Sequence, residues 1–132
     1  MKPTNDKPDR EVIFTAHAPA PAGPYSQANR VGNMVFVSGQ LGFVPGEKAL
    51  AATVEEQTEL ALTNLVKVLE AAGLGPDNVV KTTCFLADMG DFSAFNKIYG
   101  GLFCENPPAR SCFAVKTLPL GALVEIEAIA VG

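Results

Sequence analysis

The stretch VEIEAIAV, residues 124–131, is apolar at six of its eight positions. Successive side chains of a β-strand point to opposite faces, so the even-numbered residues share one face and the odd-numbered residues share the other. Both faces contain apolar side chains, and the same is true of MVFVSG at residues 34–39. This pattern is typical of strands that are covered by protein on both sides of a sheet.

The rest of the chain supplies further strands and two helices for such a sheet. Strands are predicted at residues 11–14, 25–31, 34–41, 79–86, 109–115 and 122–131. A helix over residues 53–72 opens on a T-x-x-E capping box, and Gly73 suits its C-terminal cap. Apolar residues at helical spacing, among them Phe92, Phe95 and Tyr99, predict a second helix over 91–103. This order predicts an α+β layer fold.

The predicted elements leave one face of the sheet without a cover. Two helices can cover only one face of a sheet of about six strands. The second apolar face therefore predicts contact with another copy of the same chain. We expect a homo-oligomer with clefts between its subunits.

Composition limits the domain organisation and the partners. The 132 residues are 48% hydrophobic and 18% charged, which predicts one globular domain over residues 11–132 after a disordered polar tail at 1–10. A net charge of −4 without a basic run disfavours nucleic acid, and the lack of a long apolar stretch predicts no membrane span. Three cysteines without a C-x-x-C pair favour a reducing, cytoplasmic location.

The segment NPPARSCF, residues 106–113, places a lone arginine at the start of an apolar strand. The two prolines exclude a helix, so the chain enters this strand extended, with Arg110 and Cys112 on one face. If the last two strands form an antiparallel hairpin, Glu125 and Glu127 lie on that same face. This predicts either a structural ion pair at a subunit interface, or a cleft in which Arg110 binds a substrate carboxylate and a glutamate activates water.

Other chemistries find little support in the sequence. The only histidine, His17, lies among prolines and alanines, which disfavours a Ser-His-Asp or Cys-His system. There is no cluster of metal ligands at zinc spacing and no glycine-rich phosphate loop, so neither a metal nor a cofactor is expected. Cys112 has no histidine near it in the sequence, which favours a buried thiol over a nucleophile.

Five segments then resemble the RidA family of reactive enamine/imine deaminases, in the family's order and spacing. They are GPYSQA (23–28), VSGQ (37–40), DFSAFNKIY (91–99), PARSC (108–112) and EIEAIAV (125–131). The resemblance covers residues 12 to 131. It implies the chorismate-mutase-like fold, which is a six-stranded mixed sheet with two helices on one face, in a homotrimer with active sites at its subunit interfaces.

The resemblance also implies an activity and a set of residues. RidA-type proteins hydrolyse 2-aminoacrylate-type enamines and 2-imino acids, released by PLP-dependent dehydratases, to 2-keto acids and ammonia without a cofactor. By this resemblance Arg110 would bind the substrate carboxylate with help from the backbone at Gly39, and Glu125 would orient or activate water. The pocket would further be lined by Tyr25, Ser38, Asn96 and Cys112, whereas Glu127 is more like a structural partner.

Two alternative functions remain open at this point. Members of the family have also been described as endoribonucleases or translation inhibitors, although a single histidine and a net charge of −4 disfavour RNA cleavage here. A carboxylate-binding or holdase-type protein would need Arg110 alone, whereas hydrolysis needs Glu125 as well.

One segment departs from the family pattern. The segment CENPP at 104–108 is short and has Pro107 where many members carry an aromatic residue, so it bears on the size of substrate that the pocket accepts.

Overall fold

The computed structural model describes residues 9–132 of the chain. Most of the predicted polar tail therefore lies outside the described residues. The elements are β1 (Glu11–Ile13), β2 (Ala28–Val31), β3 (Met34–Leu41), α1 (Val54–Ala71), β4 (Val79–Leu86), α2 (Phe92–Leu102), β5 (Ala109–Ala114) and β6 (Val124–Val131). The predicted α+β fold is confirmed, and the predicted elements all form, although β2 begins three residues later than expected.

The six strands form one mixed sheet in the order β1-β2-β3-β6-β4-β5. The pairs are antiparallel except β4 and β5, which run parallel. The predicted hairpin between the last two strands is wrong, because β4 lies between them. The physical reason is that α2 connects β4 to β5 as a helical crossover, and such a crossover returns the chain parallel to the strand it left.

The helices cover one face of this sheet and bury the main core against it. The even-numbered residues of β6 belong to this core, as the pleat predicts. Leu65 and Leu69 of α1 and Phe95 of α2 are fully buried above the sheet. Placing these side chains out of water contributes roughly 1.5–3 kcal/mol each.

The ends of α1 form as the sequence predicts. The Thr53 hydroxyl accepts a hydrogen bond from the Glu56 amide at 3.1 Å. At the other end, Gly73 adopts a φ of +76°, and the next amide, that of Leu74, bonds back to the carbonyl of Leu69. A left-handed residue in this position favours glycine because it has no Cβ.

The opposite face of the sheet, here called the open face, is not covered by α1 or α2. It carries Phe36 and Phe113, which are 41% and 46% exposed, together with half-buried Ile129. A second, smaller apolar cluster around Leu41, Leu118 and Ala122 covers one end of it. Two helices on a single face and an apolar face left uncovered both agree with the prediction.

Candidate active site

Arg110 lies on edge strand β5 and points to the helix-covered side of the sheet. Its Nη1 donates a hydrogen bond of 2.8 Å to Oδ1 of Asn96 on α2. Its guanidinium carbon lies 4.8 Å from the centre of the Tyr99 ring and 5.6 and 5.8 Å from those of Phe92 and Phe95. These are distances at which a cation is attracted to the face of an aromatic ring.

The groups around Arg110 fix the position of its guanidinium without pairing its positive charge with an acidic side chain. A guanidinium has five N–H donors, and within residues 9–132 its one hydrogen bond goes to an uncharged amide. The planar fork that remains matches a carboxylate, which it binds through two parallel hydrogen bonds. Arg110 is therefore a candidate anion-binding group.

The sequence assigned Phe95 and Tyr99 only to the apolar stripe of α2. With Phe92 and Asn96 they lie at spacings of three and four residues, so all four share one helix face. This spacing was the signal for a helix face of three aromatic rings and one amide, here called the seat of Arg110. What the sequence did not show is that the face meets Arg110, because that depends on α2 packing beside β5.

Cys112 lies two residues after Arg110, on the same side of the sheet, and packs half-buried against the core. Burial raises the pKa of its thiol, and the charge of Arg110 offsets that rise only in part. The thiol is therefore protonated at neutral pH and is a poor nucleophile. This agrees with the sequence-based interpretation of a buried thiol.

Glu125 lies on the open face and contacts the bulge in β3. The register between β3 and β6 shifts between Val37 and Gln40, which places Gly39 against the Glu125 side chain. A Cβ at position 39 would lie 2.5 Å from Oε2 of Glu125, so a larger residue would have to displace this carboxylate. Burial raises the pKa of Glu125, and the nearby charge of Glu127 raises it further.

Ser38 and Tyr25 lie at the same end of the molecule as Gly39. The Ser38 hydroxyl donates to the carbonyl of Ser26 at 2.6 Å, which ties β3 to the loop before β2. Tyr25 stands in that loop and is 52% exposed, with its hydroxyl accepting from the Ala22 amide at 3.1 Å. An aromatic side chain this exposed is available to contact a ligand or a second protein.

The predicted site residues thus form two groups within one chain. Arg110, Asn96 and Cys112 form the arginine group, whereas Tyr25, Ser38, Gly39 and Glu125 form the glutamate group. The register aligns Arg110 with Thr82 of β4 and Ala128 of β6, on the helix-covered side. Glu125 is two strands away from Arg110, about 10 Å, and three residues further along β6, about another 10 Å.

The prediction that Arg110 and Cys112 share a face with Glu125 and Glu127 is therefore wrong. Both glutamates align with the open-face residues Phe85 and Thr83 of β4. The parity argument assumed that β5 and β6 are neighbours, and inserting β4 in a parallel register reverses its outcome. Within one chain, Arg110 and Glu125 lie on opposite sides of the sheet.

Two surface hollows in residues 9–132 contain no member of either group. One, of about 280 Å³, lies beside the loop at Cys104, and the other, of about 530 Å³, is a groove between α1 and α2. The residues of both groups are half-buried, except the exposed Tyr25. No group of three or more possible metal ligands occurs among these residues, and no helix among them has the length and apolarity to cross a membrane.

The fold and the site thus combine a mixed α+β sheet, an apolar open face and an arginine without an acidic partner among residues 9–132. Comparison with known proteins identifies the family. Residues 15–132 match the family model described as Endoribonuclease L-PSP. The mouse 2-iminobutanoate/2-iminopropanoate deaminase is 50% identical over 123 residues, which cover 92% of this chain and 91% of the mouse protein.

Two further relatives extend the comparison. The chloroplastic Reactive Intermediate Deaminase A of Arabidopsis thaliana is 48% identical, with 92% of this chain matched to 65% of the plant protein. The crystal structure of E. coli TdcF with bound serine superposes with a TM-score of 0.89 at 40% identity, covering 92% of this chain and 98% of that one. The chain belongs to the RidA family, as the five sequence segments predicted.

Proposed function

We propose that this protein hydrolyses reactive 2-enamine and 2-imino acids of the 2-aminoacrylate type to 2-keto acids and ammonia. The observation that carries the proposal is the seat of Arg110, in which neutral groups hold a guanidinium whose remaining donors suit a carboxylate. The names of the mouse and Arabidopsis relatives support this reaction, and the serine bound to E. coli TdcF is itself a small α-carboxylate.

In the proposed reaction Arg110 binds the substrate carboxylate through two hydrogen bonds and so fixes the position of the neighbouring imine carbon. The backbone at Gly39 assists, and Tyr25, Ser38, Asn96 and Cys112 line the pocket. The carbon of an imine is already electrophilic once the imine nitrogen is protonated. The protein therefore has to orient the substrate and direct a water molecule to it.

Glu125 is the proposed base for that water. The water oxygen bonds to the imine carbon while its proton passes to the Glu125 carboxylate, and the C=N electron pair moves to nitrogen. The proton is then returned to the nitrogen of the tetrahedral intermediate. The hydroxyl proton then passes to Glu125 as a C=O bond forms and the C–N bond breaks, which gives the 2-keto acid and ammonia without any redox change, and Glu125 afterwards loses this proton to solvent. A positioned carboxylate base contributes roughly 10²–10⁴-fold in rate.

We further propose that a homotrimer completes the site, with the arginine group of one subunit facing the glutamate group of the next. The two groups lie on opposite sides of the sheet in one chain, so a single copy cannot bring them to one substrate. The apolar open face supports association, because it leaves Phe36 and Phe113 in water in the monomer.

The proposed reaction needs no cofactor, and PLP-dependent dehydratases are the source of its imines in this proposal. The Arabidopsis relative is chloroplastic, so the family is not confined to the cytoplasm. A cytoplasmic location for this chain stays a prediction from its cysteine content.

A coupled assay tests the proposed reaction. A serine/threonine dehydratase generates the imine, and its decay is followed with and without the wild-type protein and two variants. Arg110→Ala should abolish both hydrolysis and 2-keto acid binding. Glu125→Gln keeps shape and hydrogen bonding, so it should bind a 2-keto acid normally but lose roughly two or more orders of magnitude in hydrolysis.

The outcomes separate the candidate functions. Wild-type turnover by Arg110→Ala would refute the role of that residue. Binding by the wild-type protein without turnover would favour the carboxylate-binding, holdase-type alternative. Cleavage of RNA without imine hydrolysis would favour the endoribonuclease alternative.

A further inference from the structure

A buried pair of hydroxyl groups lies directly beneath the Arg110 seat. The hydroxyl of Thr82 on β4 is 2.7 Å from that of Tyr99 on α2, and both side chains are buried. Thr82 is also the cross-strand neighbour of Arg110, while the Tyr99 ring is the nearest of the three rings to the guanidinium. One hydrogen bond therefore joins the strand beside Arg110 to the ring that supports it.

We propose that the Thr82–Tyr99 hydroxyl pair positions Arg110, so that Tyr99 is a positioning residue for carboxylate binding. The inference rests on the proposed function, since it concerns how the carboxylate-binding group is oriented. Tyr99 acts through Arg110 and does not itself contact the substrate in this proposal.

The pair is suited to this role because it anchors the tip of the ring. A phenyl ring held only by packing can turn and tilt, whereas a buried hydroxyl bonded at 2.7 Å fixes the ring at its far end. Phe92 and Phe95 have no such anchor. The other neighbour of the Thr82 hydroxyl is the Cys84 thiol at 3.9 Å, a weak donor.

The pair also leaves the charge of Arg110 uncompensated. The titratable groups that face the guanidinium from β4, α2 and β5 are Cys84, Tyr99 and Cys112. Burial raises the pKa of all three, that of Cys84 to about 12, so all three are neutral at pH 7. A carboxylate in place of Tyr99 would fix Arg110 equally well but would compete with the substrate for its donors.

Conservative substitutions at both ends of the hydrogen bond provide the test. Tyr99→Phe keeps the ring, Thr82→Val keeps the side-chain shape, and the double variant removes both hydroxyls. Binding of 2-oxobutanoate is measured by calorimetry, and KM and kcat by the coupled dehydratase assay. Each single variant should weaken binding about tenfold and raise KM with kcat nearly unchanged, as expected for loss of one buried hydrogen bond.

The double variant distinguishes this inference from a purely structural role. If the hydroxyls act as one unit, the double variant binds no more weakly than either single variant. Thr58→Val is the matched control, because it removes a buried threonine hydroxyl bonded at 2.7 Å to a carbonyl within α1. That control should lower Tm but leave the affinity for 2-oxobutanoate unchanged.

A ligand-free measurement keeps this inference separate from the proposed function. The Arg110 Nε–Hε group is observed by ¹⁵N NMR relaxation, and its order parameter should fall in Tyr99→Phe and Thr82→Val but not in Thr58→Val. Unchanged Arg110 order and unchanged affinity in both variants, with a lowered Tm, would overturn the inference while leaving the reaction intact. If wild-type protein has an ordered Arg110 but neither binds nor hydrolyses, the proposed function fails and the order parameters alone decide the positioning role.

Discussion

At the scale of single residues, Arg110 and Glu125 have different electrostatic surroundings. Arg110 has no acidic partner among residues 9–132, and aromatic rings and one amide surround its guanidinium. Glu125 is half-buried beside Glu127, and both burial and the like charge favour its protonated form. A carboxylate with a raised pKa is a stronger base once ionised, which suits the activation of water.

Glu127→Gln should shift the pH dependence of hydrolysis. The reaction needs ionised Glu125, so kcat/KM should fall on the acid side, and burial and the charge of Glu127 both raise the pKa of this carboxyl. Replacing Glu127 removes the smaller of the two causes of the raised Glu125 pKa, whereas the larger cause, burial, remains. The acid limb should therefore move to lower pH, which pH–rate profiles of both proteins would reveal. An unmoved limb would contradict the influence of Glu127 on Glu125.

The same raised pKa has a consequence for stability. A carboxyl group whose pKa is higher in the folded state stabilises the fold below its unfolded pKa, and this contribution is lost as pH rises through the folded value. For Glu125 the loss occurs on going upward from pH 4.5. Lys81 and Glu127 are the other charged side chains on the open face of β4 and β6, and only Glu127 adds to the rise.

At the scale of elements, the bulge in β3 decides where Glu125 can lie. The extra residue between Val37 and Gln40 brings the Gly39 backbone against the carboxylate, and Ser38 ties the bulge to the loop before β2. Bulges redirect side chains beside functional sites in many sheets. Here the absence of a side chain at position 39 leaves the space that Glu125 occupies.

Gly39→Ala should therefore lower kcat by displacing the Glu125 carboxylate, which would lie 2.5 Å from the new methyl group. The far end of a glutamate side chain can move, so we expect the protein to fold and to bind 2-keto acids through Arg110. Gly101→Ala is the control, because that position on α2 is exposed and has open space around it. The control should keep full activity and gain roughly 0.5–1 kcal/mol in unfolding free energy. Equal kcat in both variants would contradict the crowding argument.

At the scale of the whole molecule, the strand order separates the two halves of the candidate site. The arginine group lies at edge strand β5, and the glutamate group lies where β3 meets β6. A closed ring of subunits, each contributing one group to each neighbour, would assemble as many sites as it has subunits. The open face and the divided site therefore point to the same assembly.

Mixing two inactive variants tests whether the site is shared between subunits. Arg110→Ala and Glu125→Gln are unfolded together in equal amounts, refolded and assayed. In a trimer with shared sites, about three quarters of the molecules are mixed and each has one intact site of three, so roughly a quarter of the wild-type activity should return. Light scattering should show a trimer throughout. No recovery in a correctly assembled mixture would place both residues in the same subunit's site.

The sequence by itself determined the features that depend on local interactions. The capping box of α1, the left-handed Gly73, the extended entry to β5 and the buried even-numbered residues of β6 all follow from spacing within one segment. The family also follows from short segments, since each keeps its order and spacing along the chain. Only the tertiary structure decided that β4 separates β5 from β6, that Arg110 meets the aromatic face of α2, and that Glu125 lies on the other side of the sheet. The physical reason is that residue periodicity describes the faces of one strand or helix, whereas the choice of neighbour depends on packing between segments that are distant in the chain.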